Sequence, residues 1–286
     1  MYEKFYGLRE KPFSLSPDPS FLFPSERHGH VLAMLEYVIE EASGFALVTG
    51  EVGCGKTTVV RRFLEQIDRK LNVAFITNTH PGFGSLLPWI VEALGLDPGQ
   101  ASPGELYRKF ARHAKSEYHD GQRIVVVIDE AQNLGVGGLE DLRVLSNLNA
   151  GKEMLLQTIL IGQPELRDLL RLQELRQFAQ RISIDYHLDA LQPNETLGYV
   201  QHRLRVAGSR TDLFTTDALH MVHECAGGVP RLVNMICDTA LVYGFSEQRT
   251  TIDADLVAQV VRDRLAGGLL PLREPRFAAS TTAVAG

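Results

Sequence analysis

The chain has 286 residues, a formal net charge of −6 at pH 7, and 44% hydrophobic against 22% charged residues. That length favours one large domain beside a smaller one, and the composition is that of an ordinary globular protein. The acidic balance gives no sign of a general affinity for nucleic acid or anionic membranes, though it leaves a local basic surface open.

The N-terminal "MYEKFYGLREKPF" mixes charges and aromatics from its second residue, so it does not read as a signal peptide. Residues 1–24 are rich in proline and aromatics without helical periodicity, and predict an irregular arm pinned by Phe5, Tyr6, Phe13, Phe21 and Phe23. From Ser25 the spacing of Val31, Leu32, Leu35, Val38 and Ile39 predicts a helix. "FALVTG" is a first buried strand and "KTTVVRRFLEQIDRK" the helix after it; "NVAFIT" is a second strand and "LLPWIVEALG" another helix. Ser102, Pro103 and Glu105 form a capping box with proline at N1, which opens a helix. "RIVVVID", "LLQTILIG" and "ISIDYHL" complete five strands, with a helix around "LEDLRVLSNL" between the first two of these.

Near-continuous apolar strands alternating with helices predict an α/β domain, residues 25–190, with a parallel five-stranded sheet covered on both faces. Four helical stretches follow without strand signals, predicting a small all-helical domain over 191–266. Residues 267–286 hold few large apolar side chains and are expected to be a disordered tail. No apolar run approaches the roughly 18 residues that cross a bilayer. Cys54, Cys225 and Cys237 show no CxxC spacing, which argues against a disulfide framework or zinc site and fits a reducing compartment. The expected location is the cytoplasm.

"GEVGCGKT", Gly50 to Thr57, matches the phosphate-binding pattern G-x-x-x-x-G-K-[ST], with a buried strand before it and a helix after it. Here glycines let backbone N–H groups curl round phosphates, and the helix N-terminus adds a favourable field. Gly50, Glu51, Val52, Gly53, Cys54, Gly55, Lys56, Thr57 and Thr58 are the expected nucleotide contacts. Lys56 neutralises phosphate charge, and Thr57 places its hydroxyl on Mg²⁺. Asp129 ends a buried strand, where open α/β sheets bind ligands, and is expected to hold the Mg²⁺ of Mg·ATP. Glu130, directly after it, is the candidate to polarise the attacking water. Gln163, at the end of the fourth strand, could bond the γ-phosphate or that water, or satisfy the following turn.

The strand, phosphate loop, "VVVIDE", polar strand end, "QRI" and "GGVPRLVN", in that order, resemble an AAA+ ATPase with its helical lid. With the opening "MYEKFYGLREKPFSLSPDPSFLF", the resemblance over residues 1–265 narrows to the ExeA/GspA family of type II secretion ATPases and related pilus or PEP-CTERM/exopolysaccharide ATPases. The resemblance implies a P-loop ATP hydrolase that oligomerises as a ring or filament and drives an envelope machine through lid movement. It implies that Arg231, after a glycine pair and Pro230, reaches back to the nucleotide from the start of a lid helix. It also places Arg181 as a finger acting on a neighbouring subunit, with Arg176 as the rival.

Members of that family typically continue into a membrane span and a peptidoglycan-binding region. Neither is present in these residues, so a membrane-associated protein partner is expected. A DNA-binding regulator of the transposition type is the alternative. Three further features carry less. His220 and His223 lack a third ligand, Arg203, Arg205 and Arg210 are expected on an exposed helix face, and the arm's aromatics are expected in a core.

Overall fold

The computed structural model describes residues 1–16, 18–41, 44–66, 71–77, 79, 84–150, 153–268 and 271–275. The chain divides into two compact units, one of Glu26–Val52 and Lys56–Asp189, the other of Met1–Ser25, Gly53–Gly55 and the chain from Ala190 onward.

The first unit is an α/β layer structure. Its strands are β1 (Phe45–Thr49), β2 (Leu71–Ile76), β3 (Arg123–Ile128), the two-residue β4 (Asn149–Ala150) and β5 (Glu153–Met154), β6 (Leu156–Gly162) and β7 (Ile182–His187). Five of them form one sheet in the order β2-β3-β6-β1-β7, and every neighbouring pair is parallel. β1 and β6 are buried along their whole length, as apolar runs with helices on both faces must be. The edge strand β7 is nowhere fully buried and alternates between partly buried and exposed positions over its first four residues, and its sequence ISIDYH alternates accordingly. The antiparallel β4–β5 pair is an addition that no periodicity announced, since two-residue strands are too short to carry one.

Helix Glu26–Glu40 precedes β1, and helices Lys56–Gln66, Leu87–Ala93, Pro103–His119 and Gly135–Leu145 lie between successive strands. The last residues of the expected helix Lys56 to Lys70 lie outside the described residues. At the helix starting with Pro103, the Glu105 carboxylate accepts from the Ser102 N–H at 2.9 Å, the predicted capping box. The C-terminus of helix Glu26–Glu40 is fastened to the sheet by side chains. Arg123 Nη1 donates to the Ile39 carbonyl at 2.6 Å, and the buried Gln157 Nε2 donates to the Val38 carbonyl at 2.9 Å. Carbonyls that a helix end leaves without partners are thereby satisfied inside the unit. The core beneath is built from Phe45, Leu47, Ile90, Phe110, Ile124, Ile128, Leu139, Leu160 and Phe178.

The second unit is helical, with helices Pro193–Val206, Thr216–Ala226, Pro230–Ser246 and Ala254–Ala266. Each N-terminus is signalled locally. Glu195 accepts from the Gln192 N–H, Thr215 Oγ1 from Ala218, and Asp253 Oδ1 from Leu256, while Pro230 begins its helix at N1. Gly227 ends the second helix at φ 60°, a left-handed conformation that glycine adopts without a Cβ penalty.

The N-terminal arm belongs to this unit. Tyr2, Tyr6, Leu8, Phe13 and Phe21 share one core with Leu204, Val222, Val233, Ile236 and Leu241. The arm is less irregular than its sequence suggests. It contains a helical turn at Glu3–Tyr6 and a 3₁₀ turn at Pro19–Phe21, the latter capped by Asp18. Burying large aromatics such as Phe13 and Phe21 contributes about 1.5–3 kcal/mol each, which is enough to hold a segment with little secondary structure of its own.

Arg203, expected on an exposed basic face, is instead 6% exposed. Its Nε donates to the Pro12 carbonyl, its Nη1 to Tyr199 Oη at 2.9 Å and its Nη2 to the Ser14 carbonyl, while the guanidinium stacks 4.8 Å from the Phe21 ring centroid. Helical periodicity could not distinguish it from the exposed Arg205 because Pro12, in the arm that covers it, lies 191 residues away in the chain. Within the expected tail, Leu272 is buried in the same core and the Arg273 N–H donates to the Cys225 carbonyl at 2.9 Å. Residues 276–286 lie outside the described residues. Among the described residues, no helix is long and apolar enough to cross a membrane.

Candidate active site

The phosphate-binding loop runs from the end of β1 into helix Lys56–Gln66. Gly53 and Gly55 adopt φ of 84° and 93°, so the loop needs glycine at both positions. Gly50 packs so closely that a Cβ there would lie 2.4 Å from the Leu188 carbonyl oxygen. Its N–H donates to the Gly162 carbonyl, which joins the loop to the end of β6. Lys56, the first helical residue, is buried, and its ammonium donates to the carbonyls of Gly50 and Glu51 at 2.8 and 2.9 Å. Cys54 is buried, Glu51 and Val52 are exposed, and Thr58 is partly buried in the first helical turn.

Asp129 follows the last residue of β3, and its N–H donates to the Ile76 carbonyl of β2. Its buried carboxylate is held on both oxygens. Thr57 Oγ1 donates to Oδ2 at 2.7 Å, and the Glu130 N–H donates to Oδ1 at 3.0 Å. A hydroxyl and a carboxylate brought to one point are the hard oxygen donors that Mg²⁺ prefers, with water and phosphate oxygens completing its shell. Beyond this pair, no group of three or more His, Cys, Asp or Glu suited to a metal occurs among the described residues.

Glu130 takes φ 51°, a left-handed conformation uncommon for a residue with a side chain. The Thr79 hydroxyl lies 2.9 and 2.8 Å from the carbonyl oxygens of Asp129 and Glu130 and shares its proton between them. Asn133 Nδ2 in turn donates to the Thr79 carbonyl at 3.0 Å. The Glu130 carboxylate accepts through Oε2 from Gln163 Nε2 at 2.9 Å and from Gln132 Nε2 at 2.5 Å. Gln132 Oε1 accepts from the Gln163 N–H at 3.2 Å. The structure therefore brings Lys56, Thr57, Asp129, Glu130 and Gln163 to one end of the sheet. Sequence reasoning missed Thr79, Gln132 and Asn133, although the polar "QN" after "DEA" was a signal that side-chain bonding could follow the strand.

The three arginines separate. Arg181 is turned onto the end of helix Gly135–Leu145, where Nη1 donates to Ser146 Oγ at 2.6 Å and to the Arg143 carbonyl, and Nη2 to Asn147 Oδ1 at 2.8 Å. A cation at a helix C-terminus is favourable there. Arg176, in the preceding turn, is exposed. Arg231 starts helix Pro230–Ser246 with an exposed side chain, and its N–H donates to the Gly53 carbonyl at 3.2 Å. A Cβ on Gly53 would lie 2.5 Å from that of Arg231, so loop apex and helix start are in close backbone contact. Among the histidines, His223 Nδ1 bonds Thr196 Oγ1 at 2.8 Å.

Comparison with known proteins agrees with this geometry. The family described as "AAA domain" matches residues 39–170. General secretion pathway protein A of Aeromonas hydrophila is 45% identical over 247 residues, covering 86% of this chain and 45% of that protein. The chain thus spans under half the length of that relative. Among solved structures, the Aeropyrum pernix ORC2 protein in its ADPNP–ADP complexes superposes with a TM-score of 0.69 at 17% identity, over 90% of this chain and 72% of that one. Drosophila ORC bound to DNA gives a TM-score of 0.67 at 18% identity over 89% and 64% of the two chains. A Walker-type ATPase of Pyrococcus abyssi gives 0.60 at 18% identity over 90% and 78%. At such identities the structural likeness speaks for the fold alone. Taken with the sequence relationship and the phosphate loop, these findings identify the chain as an AAA-type P-loop ATPase related to General secretion pathway protein A.

Proposed function

We propose that this ATPase binds Mg·ATP at the Gly50–Thr58 loop and couples its hydrolysis to the assembly of an envelope or secretion-type machine. The observation that carries the reading is the 2.7 Å bond between Thr57 and Asp129 with Glu130 directly following. In this reading Lys56 leaves its two loop carbonyls to meet phosphate, and the loop N–H groups bind the remaining charge. Thr57 and Asp129 would hold Mg²⁺, which neutralises charge on the phosphates when bound. Glu130 orients the attacking water and accepts its proton, and Gln163 bonds the same carboxylate.

Arg231 contributes from a helix whose first turn touches the loop apex, so nucleotide at the loop and the start of that helix influence each other. Lid movement, self-assembly as a ring or filament, and a membrane-associated protein partner complete the proposal. Support comes from 45% identity to General secretion pathway protein A over 86% of the chain. Arg181 serves as the finger toward a neighbouring subunit in this scheme, which requires it to leave Ser146 and Asn147.

The test is ATP turnover per subunit across protein concentration, with and without duplex DNA. A rate that rises with concentration and ignores DNA supports the secretion-type reading. A rate that rises only with DNA replaces it with the DNA-regulator alternative.

A further inference from the structure

The amide of Gln132 is placed to do two things at once. Its Nε2 donates to Glu130 Oε2 at 2.5 Å, and its Oε1 accepts from the Gln163 N–H at 3.2 Å. Gln163 closes the circuit by donating its own Nε2 to the same Glu130 oxygen at 2.9 Å. Among the described residues, both amide donors thus converge on Oε2, which fixes the plane of the carboxylate and directs Oε1 away from them. The site is fitted tightly around this amide, since a Cβ on Gly162 would come within 2.9 Å of Gln132 Oε1. Beneath it, the Thr79 hydroxyl and the Asn133 amide hold the backbone that keeps Glu130 in its left-handed conformation.

We propose that Gln132 is a positioning residue for ATP hydrolysis: its side-chain amide sets the Glu130 carboxylate in register with Gln163 and leaves Oε1 as the oxygen that receives the proton from the attacking water. The inference rests on the reading of Glu130 as the group that polarises water. The physical basis is that a glutamate carboxylate on three rotatable bonds samples several orientations, and two amides on one oxygen restrict it to one. Rate is sensitive to misplacement on the ångström scale, whereas nucleotide affinity, carried by the loop and Lys56, is not touched by the orientation of Glu130.

The experiment compares the full chain with Gln132→Met, which keeps length and loses the amide, Gln132→Glu, which sets an acceptor against an acceptor, and Glu130→Gln. Turnover is measured with the dissociation constant of a fluorescent ATP analogue, and the side-chain amide NMR signals of Gln132 and Gln163 are followed with and without Glu130→Ala. Gln132→Met should lower kcat by about tenfold to a hundredfold with KM and analogue affinity held to about twofold, and Gln132→Glu should lower kcat at least as far. Both glutamine amide signals should move in Glu130→Ala, and that of Gln163 should move in Gln132→Met.

A Gln132→Met enzyme with wild-type kcat overturns the proposal, as does a fall in kcat matched by an equal loss of nucleotide affinity. A Gln132 amide signal indifferent to Glu130→Ala also overturns it. Normal turnover by Glu130→Gln would instead overturn the role of Glu130, a separate failure, and the amide signals would still decide whether the tether exists. Should Gln132→Met fail to fold, Gln132→Asn, which keeps an amide with shorter reach, takes its place with the same expectations.

Discussion

Thr57 and Asp129 stand 72 residues apart in the chain, yet the hydroxyl of one donates to Oδ2 of the other across 2.7 Å. The contact is made possible by the sheet order, in which β1 and β3 flank β6 in parallel and therefore end at the same edge of the sheet, one on either side of it. From it follows a separation of roles between binding and turnover. Lys56→Ala should lose ATP affinity by tenfold or more, about 1.4 kcal/mol or above. Glu130→Gln should bind ATP as the wild type does and lose turnover by about a hundredfold or more. Equilibrium binding beside steady-state hydrolysis separates the two, and normal hydrolysis by Glu130→Gln would remove that residue from the chemistry.

Arg203 offers a test of how the arm is held. Its removal takes away the guanidinium that donates to the Pro12 and Ser14 carbonyls and to the Tyr199 hydroxyl. Arg203→Met should therefore cost about 2–4 kcal/mol, read as a lowered urea midpoint, and should expose the arm to proteolysis. Arg205→Met, on the exposed face of the same helix, should change stability little. Equal effects from both would show that the arm is held by its aromatics alone.

Gly244 tests the same interface from the opposite side. A Cβ there would lie 2.4 Å from Tyr6 Oη and 2.5 Å from Ile252 Cδ1. Gly244→Ala should destabilise the helical unit by about 1–3 kcal/mol through overpacking. Combining it with Tyr6→Phe removes one of the two clashing atoms, so the double variant should lose less than the sum of the singles. Simple additivity in denaturant melts would speak against this packing.

The arginine finger is testable in mixtures. Arg181→Ala loses the bonds to Ser146 and Asn147 and should cost about 1–2 kcal/mol of stability whether or not it acts in catalysis. If it also acts on a neighbouring subunit, Arg181→Ala and Glu130→Gln proteins are each inactive alone and partly active when co-assembled. Demonstrated mixed assembly without recovered turnover assigns Arg181 to structure and leaves the exposed Arg176 as the candidate.

Stability should decline in alkali for a stated reason. Burial, helped by Glu224, pushes the Cys225 thiol up to about 11, and burial pushes the Tyr6 hydroxyl up to about 12. In the unfolded chain these groups lose their protons near about 8.5 and about 10. Above those values the unfolded state sheds protons that the folded state retains, so the stabilisation is complete below about pH 8.5 and is lost as pH rises toward 11 to 12. Urea midpoints at pH 8, 9 and 10 should fall in that order, and Cys225→Ala should flatten the first part of the decline.

Much of this protein was legible in local pattern. Continuous apolar runs announced β1, β2, β3 and β6 and the short "ISIDYHL" announced β7, proline with a capping glutamate announced the helix start at Pro103, and the glycines and lysine of "GEVGCGKT" announced the loop. These signals are readable because each depends on neighbours within a few residues: backbone period, cap geometry and positive φ are properties of a short segment. The same holds for Asp129 and Glu130, whose position at a strand end is a local fact.

The tertiary structure decided what depends on distant partners. It buried Arg203 under the arm, drew Leu272 into the helical core, turned Arg181 onto Ser146 and Asn147, and joined Gln132, Gln163 and Glu130 into one hydrogen-bonded circuit. No periodicity distinguishes a buried arginine from a solvated one, or a tethering glutamine from a surface one. The difference lies in the desolvation of a polar group and the partners that compensate it, and those partners are brought by parts of the chain that only folding makes neighbours.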